Sequence, residues 1–443
     1  MTMTLETFLQ QHALAQPSKV AVVCGQSRLT YAELFSLTQQ RAHELRSSGL
    51  TPGQVHLFRA SQDAAFLCTY FATHMLGAVA APLERDIPQQ RIDDLQTLCH
   101  TATLPQGAAD VLFTTGTTGQ SKGVIISHDT IVAEAENLAE SQGFSADTVF
   151  IISGPLNHIG SLSKLYPTIA VGATLHIIDG LKDMDAFFRA IDAAPAKAAS
   201  FLVPASIRML MAFAEREIAA RAAKIDFIET GAAPMPLADM QQFCSLLPHS
   251  RLYNTYASTE TGIVATFNYN GGECIAGCLG APMRHSAIKI TADGRVACTG
   301  DTLMSGYWED DELTRSVMPG GHTVVTNDSG YIDSCGRLRL SGRNDDVINV
   351  GGYKVAPTDV EDAAMTSPPV RDCVCIAANH PVVGTVVKLL VVADGKLNCR
   401  ELAKHLKTLL EPYQCPSMIE QVESVNRTFN GKIDRKSYRN GNS

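Results

Sequence analysis

The sequence lacks a long apolar run, a basic stretch, a leader pattern and any internal repeat. No segment reaches the roughly 18 apolar residues that a membrane-spanning helix needs. Thirty-six lysines and arginines stand against 45 aspartates and glutamates, a net charge of −9. An acidic chain without a basic run argues against nucleic acid or an anionic membrane as the main partner. Residues 1–19 include an acidic residue and no charged-then-apolar signal, so a cytoplasmic protein is expected. The twelve cysteines lack the paired spacing of zinc sites. Cys373 and Cys375 fall on one face of an expected strand, and Cys274 and Cys278 lie four positions apart. Reduced, packing thiols are the expectation.

What is present is the composition of a globular protein, 45% hydrophobic and 18% charged, in 443 residues. That length exceeds what one hydrophobic core usually serves, so two or more domains are expected. Val111-Leu112-Phe113 reads as a buried strand, and a helix follows near 130–142 with Gly143 as its stop. Val149–Ile152, Ala173–Ile178, Ser200–Val203 and Ile225–Ile228 read as further strands, with helices near 184–194 and 205–221. This alternation predicts layered α/β sheets, largely parallel, with the site in loops at the carboxyl ends of the strands. From about 270, turn residues at Gly271-Gly272, Asp293-Gly294, Asp328-Ser329-Gly330 and Cys335-Gly336 predict a β-rich region. Beyond Gly351-Gly352 the order is helix (357–366), strand (373–378), strand (385–393), helix (400–410), a small α+β unit.

The strongest local signal is the run Thr114, Thr115, Gly116, Thr117, Thr118, Gly119, Gln120, Ser121, Lys122, Gly123. Glycines let a backbone approach phosphate oxygens, hydroxyls donate to them, and a lysine adds a compact positive charge. The P-loop spacing fails, because Ser121 precedes Lys122 and Gly123 follows it.

This run resembles the phosphate-binding signature of the adenylate-forming superfamily, which includes acyl-CoA synthetases, peptide-synthetase adenylation domains and luciferases. Further segments resemble that family in its order: Leu29–Leu34, Pro155–Gly160, Gly231-Ala232-Ala233-Pro234, Asn254-Thr255-Tyr256-Ala257-Ser258-Thr259-Glu260, Gly300 through Tyr307, Asp328, Gly342–Asp346, and Asn430-Gly431-Lys432-Ile433-Asp434-Arg435. The resemblance implies a large N-terminal domain over 1–342, with layered α/β sheets and a β-rich subdomain. A small mobile α+β domain would span 343–443, hinged near Asp345. It implies an enzyme, an AMP-forming carboxylate–CoA ligase. Such an enzyme joins a carboxylic acid to ATP with Mg²⁺, giving an acyl-adenylate and pyrophosphate, then passes the acyl group to CoA.

The resemblance also implies roles. The loop from Thr114 to Lys122 would hold the β- and γ-phosphates, Thr259 would meet the α-phosphate, and Glu260 would hold Mg²⁺. Gly231, Ala232, Ala233 and Pro234 would flank the adenine with Asn254, Thr255, Tyr256, Ala257 and Ser258. Asp328 and Arg343 would bind the ribose. Lys432 would bridge the carboxylate and α-phosphate, His158 would lie by the acyl carboxylate, and Gly351-Gly352 would swing toward a pantetheine tunnel.

Several positions depart from the family pattern. Asn327 stands where a glycine is usual before Asp328, Ala257 replaces a glycine, Arg295 replaces an acid, and Asn426-Arg427-Thr428 lacks the proline usual a few residues before Lys432. Only residues 87–110 separate the segment 77–86 from the phosphate strand, a shorter stretch than in most relatives, which leaves a homodimer contact open. Ser161, Leu162, Lys164, Leu165 and Ala232 are expected around the acid. Lys164 could meet a second carboxylate, a ring substituent or solvent, and an aryl or short-to-medium aliphatic acid is expected. Two alternatives stand beside CoA ligation: loading the phosphopantetheine of a separate carrier protein, or non-catalytic nucleotide binding.

Overall fold

The computed structural model describes residues 3–99, 104–115, 121–380, 384–428 and 432–439. Its largest sheet has eight strands, in the order Gly262–Asn268, Arg251–Ser258, Ile225–Gly231, Ala198–Phe201, Val149–Ile152, Thr174–Ile177, Val20–Cys24, Ser27–Thr30. The interior pairs are parallel and only the two outermost pairs are antiparallel. The central strand Val149–Ile152 is an apolar run buried throughout, as a helix-covered parallel sheet requires, whereas the edge strand Ser27–Thr30 is exposed or half-buried.

A second sheet runs Gly306–Tyr307, Ser121–Ser127, Ala108–Thr115, Val79–Leu83, Val55–Arg59. The phosphate segment is its central hairpin, with Thr114 opposite Lys122. The short strand Gly306–Tyr307 pairs with Val124 and Ile125 and so brings residue 307 to the hairpin's side. Between the two sheets lie the helices Leu5–Ala15, Ala64–Met75, His128–Gln142 and Ile159–Ala170, which share one core with both sheets. The helix at 128 begins because the Ser127 hydroxyl accepts from the Thr130 amide, and it ends at Gly143 in the left-handed region (φ 68°). The helices Met184–Ala193, Pro204–Phe213 and Leu237–Leu246 cover the other face of the large sheet with a second core.

A third, antiparallel sheet between residues 278 and 343 forms the β-rich region. Gly280 is required there, since a Cβ on it would lie 1.9 Å from the Thr266 carbonyl oxygen. The residues after it build a separate core around the helix Pro357–Met365 and the sheet Val370–His380, Gly384–Ala393, Met418–Gln421. Glu361 in that core receives two hydrogen bonds from the Arg435 guanidinium, at 2.7 and 2.8 Å, and one from the Cys375 amide at 2.7 Å. No helix among the described residues is long and apolar enough to cross a membrane. All twelve cysteines are free thiols.

The elements differ from the sequence pattern in detail. The helix expected over 205–221 is two, Pro204–Phe213 and Glu215–Ala220, because Ala214 leaves helical geometry (φ −142°) and turns into the core at 4% exposure. The strand expected at Ser200–Val203 stops at Phe201, since Pro204 starts a helix. The last expected helix ends at Leu406.

The helix Ile159–Ala170 is buried on every side, so its polar residues need internal partners. Lys164 finds one in Glu229, 2.7 Å away, both side chains 1% exposed. Removing either partner alone would cost about 3–5 kcal/mol by stranding a buried charge. Glu134 lies nearby with neither carboxyl oxygen hydrogen-bonded. Burial pushes its pKa up to about 8; the Lys164 charge opposes this and Asp110 adds to it. Between the usual carboxyl range and about pH 8 the folded chain therefore keeps a proton that the unfolded chain releases. Stability falls as pH rises through that window. The melting temperature of Glu134→Gln relative to wild type should accordingly climb between pH 5 and pH 8; parallel melting profiles would contradict the neutral carboxyl.

Candidate active site

Several loops converge at the carboxyl ends of the large sheet's parallel strands. After Ile152 the chain passes through residues 153–157 to His158, which sits at the N-terminus of the buried helix. Burial lowers its pKa, against the charge of Glu84, so its imidazole is neutral at pH 7. After Gly231 comes Ala232, a non-glycine residue in the left-handed region (φ 67°). Such a conformation costs roughly 1–2 kcal/mol, and local strain of this kind gathers at functional sites. Gly231 itself runs beside Thr255, whose carbonyl oxygen would be 2.8 Å from an added Cβ. Ala232 and Pro234 are exposed and Ala233 partly so, as a ligand-facing turn would be.

The segment 254–260 divides by its contacts. Asn254 is buried and donates to the Cys278 carbonyl at 3.2 Å, joining two sheets. Thr255 is buried and pairs with the Thr266 hydroxyl at 2.9 Å. The side chains of these two residues are thus engaged in packing. Ala257, Ser258, Thr259 and Glu260 are partly exposed. Tyr256 is 5% exposed, and its hydroxyl donates to Asp328 at 2.8 Å. Arg343 lies 3.7 Å from the other oxygen of Asp328 and 3.6 Å from Asp345. Asp345 also accepts from Asn327 at 3.1 Å. The asparagine that departs from the family pattern therefore touches the residue expected to be the hinge.

Glu260 accepts from the Tyr307 hydroxyl at 2.9 Å, and the Tyr307 ring lies 5.6 Å from the Lys122 ammonium. The strand pairing of Tyr307 with Val124 links the phosphate hairpin to Glu260. Among the described residues Tyr307 is the one hydrogen-bond donor to this carboxylate, whose remaining lone pairs suit a hard cation. Gly116, Thr117, Thr118 and Gly119 lie outside the described residues; Thr114 and Thr115 end the strand that leads to them.

Lys432 arrives from the small unit. Its carbonyl accepts from the Thr428 amide at 2.8 Å, and Arg427 bridges to Ile433. Its side chain remains open to solvent yet stands in a crowded cleft. That crowding lowers its pKa, as does the charge of Arg343, while Asp328 and Glu260 oppose the shift. The lysine thus feels the residues expected to bind ribose and cation. Gly351 and Gly352 lie elsewhere, at an exposed hairpin tip with φ of 57° and 93°. A two-residue turn with both φ positive demands glycine on local grounds.

Sequence reasoning named Tyr307 only within a motif and missed Glu229 and Phe201. Phe201 packs against Gly160 and Gly231, with the Lys164 ammonium 5.1 Å from its ring. Ser161, Leu162 and Leu165 are buried in the helix. A lysine in an otherwise apolar helix was the available sign that a buried acid must exist.

The charges around Lys432 generate a measurable titration. Competitive acetylation read by mass spectrometry should find Lys432 reactive at lower pH than the chain's ordinary lysines. Arg343→Gln should move that titration upward and Glu260→Gln further downward. Indifference to both substitutions would place the ammonium outside this cleft.

Residues 9–104 and 97–308 match the AMP-binding enzyme family, and residues 359–432 match the AMP-binding enzyme C-terminal domain. The chain is 26% identical to the indoleacetate–CoA ligase of Aromatoleum aromaticum, over 99% of this chain and 98% of that protein. It is 25% identical to the human mitochondrial malonate–CoA ligase, over 96% of this chain and 90% of that one. ATP-bound MatB from Rhodopseudomonas palustris superposes with a TM-score of 0.89 at 21% identity, covering 99% of both chains. The o-succinylbenzoate CoA synthetase of Bacillus subtilis, in complex with its acyl-adenylate intermediate, gives 0.84 at 21% identity, over 100% of this chain and 99% of that one. With both regions of the family matched across most of its length, the chain belongs to the AMP-binding enzymes.

Proposed function

We propose that this enzyme is an AMP-forming acid–thiol ligase that makes an acyl-adenylate from ATP and a monocarboxylic acid and delivers the acyl group to CoA. The observation that carries the reading is Lys432, from the small unit, standing within electrostatic reach of Glu260 and Asp328 on the large one and of Arg343 at the boundary between them. Adenylation joins a carboxylate oxygen to the α-phosphorus of ATP and expels pyrophosphate, so two anions must approach. Catalysis is then mostly positioning and charge neutralisation.

Lys432 bridges the acid carboxylate and the α-phosphate in this reading, and Thr259 donates to the same phosphate. Lys122 and the loop after Thr114 and Thr115 grip the terminal phosphates. Glu260, oriented by Tyr307, would hold Mg²⁺, whose charge when bound offsets that of the phosphate oxygens. Asp328 accepts from the ribose hydroxyls and Arg343 donates to them, while Ala232 and Tyr256 flank the base. The small domain, 343–443, then turns about Asp345. Lys432 leaves and the Gly351-Gly352 tip enters a channel for the thiol. The thiol sulfur attacks the acyl carbonyl, AMP departs, and His158 lies beside the reacting carboxyl group.

Charge accounting narrows the acid. Lys164 is neutralised by Glu229, so it offers nothing to a second carboxylate, and Phe201 adds an apolar wall. An aryl or aliphatic acid with an uncharged tail fits better than a dicarboxylate. CoA is favoured as acceptor by the relatives named as CoA ligases; loading of a carrier protein's phosphopantetheine is the second reading. The free thiols suit a reducing compartment such as the cytoplasm.

The test is acid-dependent ATP–pyrophosphate exchange across aryl, aliphatic, dicarboxylic and amino acids, followed by thioester formation with CoA or a carrier protein. Exchange is expected with an aryl or aliphatic monocarboxylate and should fall by roughly 10²–10³ in Lys432→Ala. Exchange with dicarboxylates alone would overturn the pocket argument. Exchange indifferent to the substitution would overturn the role of Lys432.

A further inference from the structure

A second cluster of ligating groups lies away from the nucleotide cleft, at the opposite end of the phosphate hairpin from its loop. Glu6 is in the first turn of the helix Leu5–Ala15, His74 in the last turn of Ala64–Met75, and His128 at the start of His128–Gln142. Three helices thus bring one carboxylate and two imidazoles together, with one ligand atom of each within 4.8 Å of the others. Glu6 Oε2 is 3.8 Å from His74 Nδ1, and Glu6 Oε1 is 3.9 Å from His128 Nδ1. The imidazole rings meet edge to face, 4.9 Å between centroids.

These separations are too long for hydrogen bonds. They are close to the spacing of ligands around one ion. Tetrahedral bonds of about 2.0–2.1 Å set ligand atoms about 3.4 Å apart, so the three groups, whose ligand atoms lie within 4.8 Å of one another, would close in on a bound ion. Two of the atoms, Glu6 Oε2 and His74 Nδ1, are buried without any hydrogen-bond partner, and His74 is 3% exposed. A buried polar atom left unpaired needs an explanation, and here two of them face each other.

The surroundings orient the histidine. His74 Nε2 lies 3.0 Å from Asp110 Oδ1, and Asp110 is fixed by the Tyr70 hydroxyl at 2.8 Å. A carboxylate on one ring nitrogen leaves the other as a lone-pair ligand, the arrangement seen behind metal-bound histidines. Glu6 and Asp110 bring two carboxyl groups against His74, and Glu6 also faces His128.

The geometry points to a divalent metal site formed by Glu6, His74 and His128, with water completing the shell on the side where Glu6 and His128 are partly exposed. One carboxylate and two imidazoles suit a borderline ion such as Zn²⁺ better than Mg²⁺ or Ca²⁺, which take oxygen ligands. A bound ion would fasten the N-terminal helix to the sheet that carries Lys122. It would act on stability and on the seating of that hairpin, not on the reacting atoms.

The test uses untagged, full-length protein stripped with chelator and dialysed against Zn²⁺ alone, with bound metal counted by elemental analysis. Wild type should retain about one equivalent and melt at higher temperature with Zn²⁺ than without it. Glu6→Gln and His128→Gln, at partly exposed positions, should remain folded by circular dichroism, lose that equivalent and lose the melting shift. Co²⁺ in place of Zn²⁺ should give a visible spectrum of nitrogen and oxygen ligation without thiolate charge transfer. No stoichiometric metal in wild type would overturn the site in favour of a protonated His74 between the two carboxylates. Full retention in both variants, or a thiolate spectrum, would overturn it in favour of the cysteines.

Discussion

Arg435 clamped on Glu361 is the contact on which the candidate site depends. The two bonds, at 2.7 and 2.8 Å, bury a charged pair in the small unit and hold the chain three residues after Lys432. With that anchor, and with the Arg427–Ile433 bridge on the other side, the backbone around Lys432 is tied to the small unit. In the proposed reaction the orientation of that unit then decides whether the charge is present.

That orientation is held by contacts modest enough to break. Asn327 reaches Asp345 at 3.1 Å, Arg208 on the large unit lies 3.7 Å from Asp372 on the small one, and Thr358 donates to the Ser341 carbonyl at 3.2 Å. Exposed or half-exposed polar contacts of this kind contribute about 0–1 kcal/mol each. An enzyme that must vacate its first arrangement to complete a second step benefits from such a weak seam. The cores on either side are, by contrast, well buried.

Much of the fold was legible because its signals are local. The strand Val149–Ile152 and the helix stop at Gly143 follow from apolar runs and a single left-handed glycine. The strands and helices of the small unit follow from the same signals. What was not legible depends on pairing between distant segments. The Tyr307–Glu260 bond exists because residues 306–307 add a short strand beside Val124 and Ile125. The Lys164–Glu229 pair needs a helix seated on a particular strand of the sheet. Asn327, which reads as a blemish in a motif, has meaning only once Asp345 is seen beside it. The cluster of Glu6, His74 and His128 spans three helices and carries no motif at all.

The central claim is that Lys432 serves only the first half-reaction, from the docked orientation. It is tested most directly by giving Lys432→Ala a synthetic acyl-adenylate of the accepted acid, with CoA, and timing thioester formation against adenylate formation from acid and ATP. The account predicts thioester formation near the wild-type rate and adenylate formation lowered by roughly 10²–10³. Equal loss in both half-reactions would contradict it.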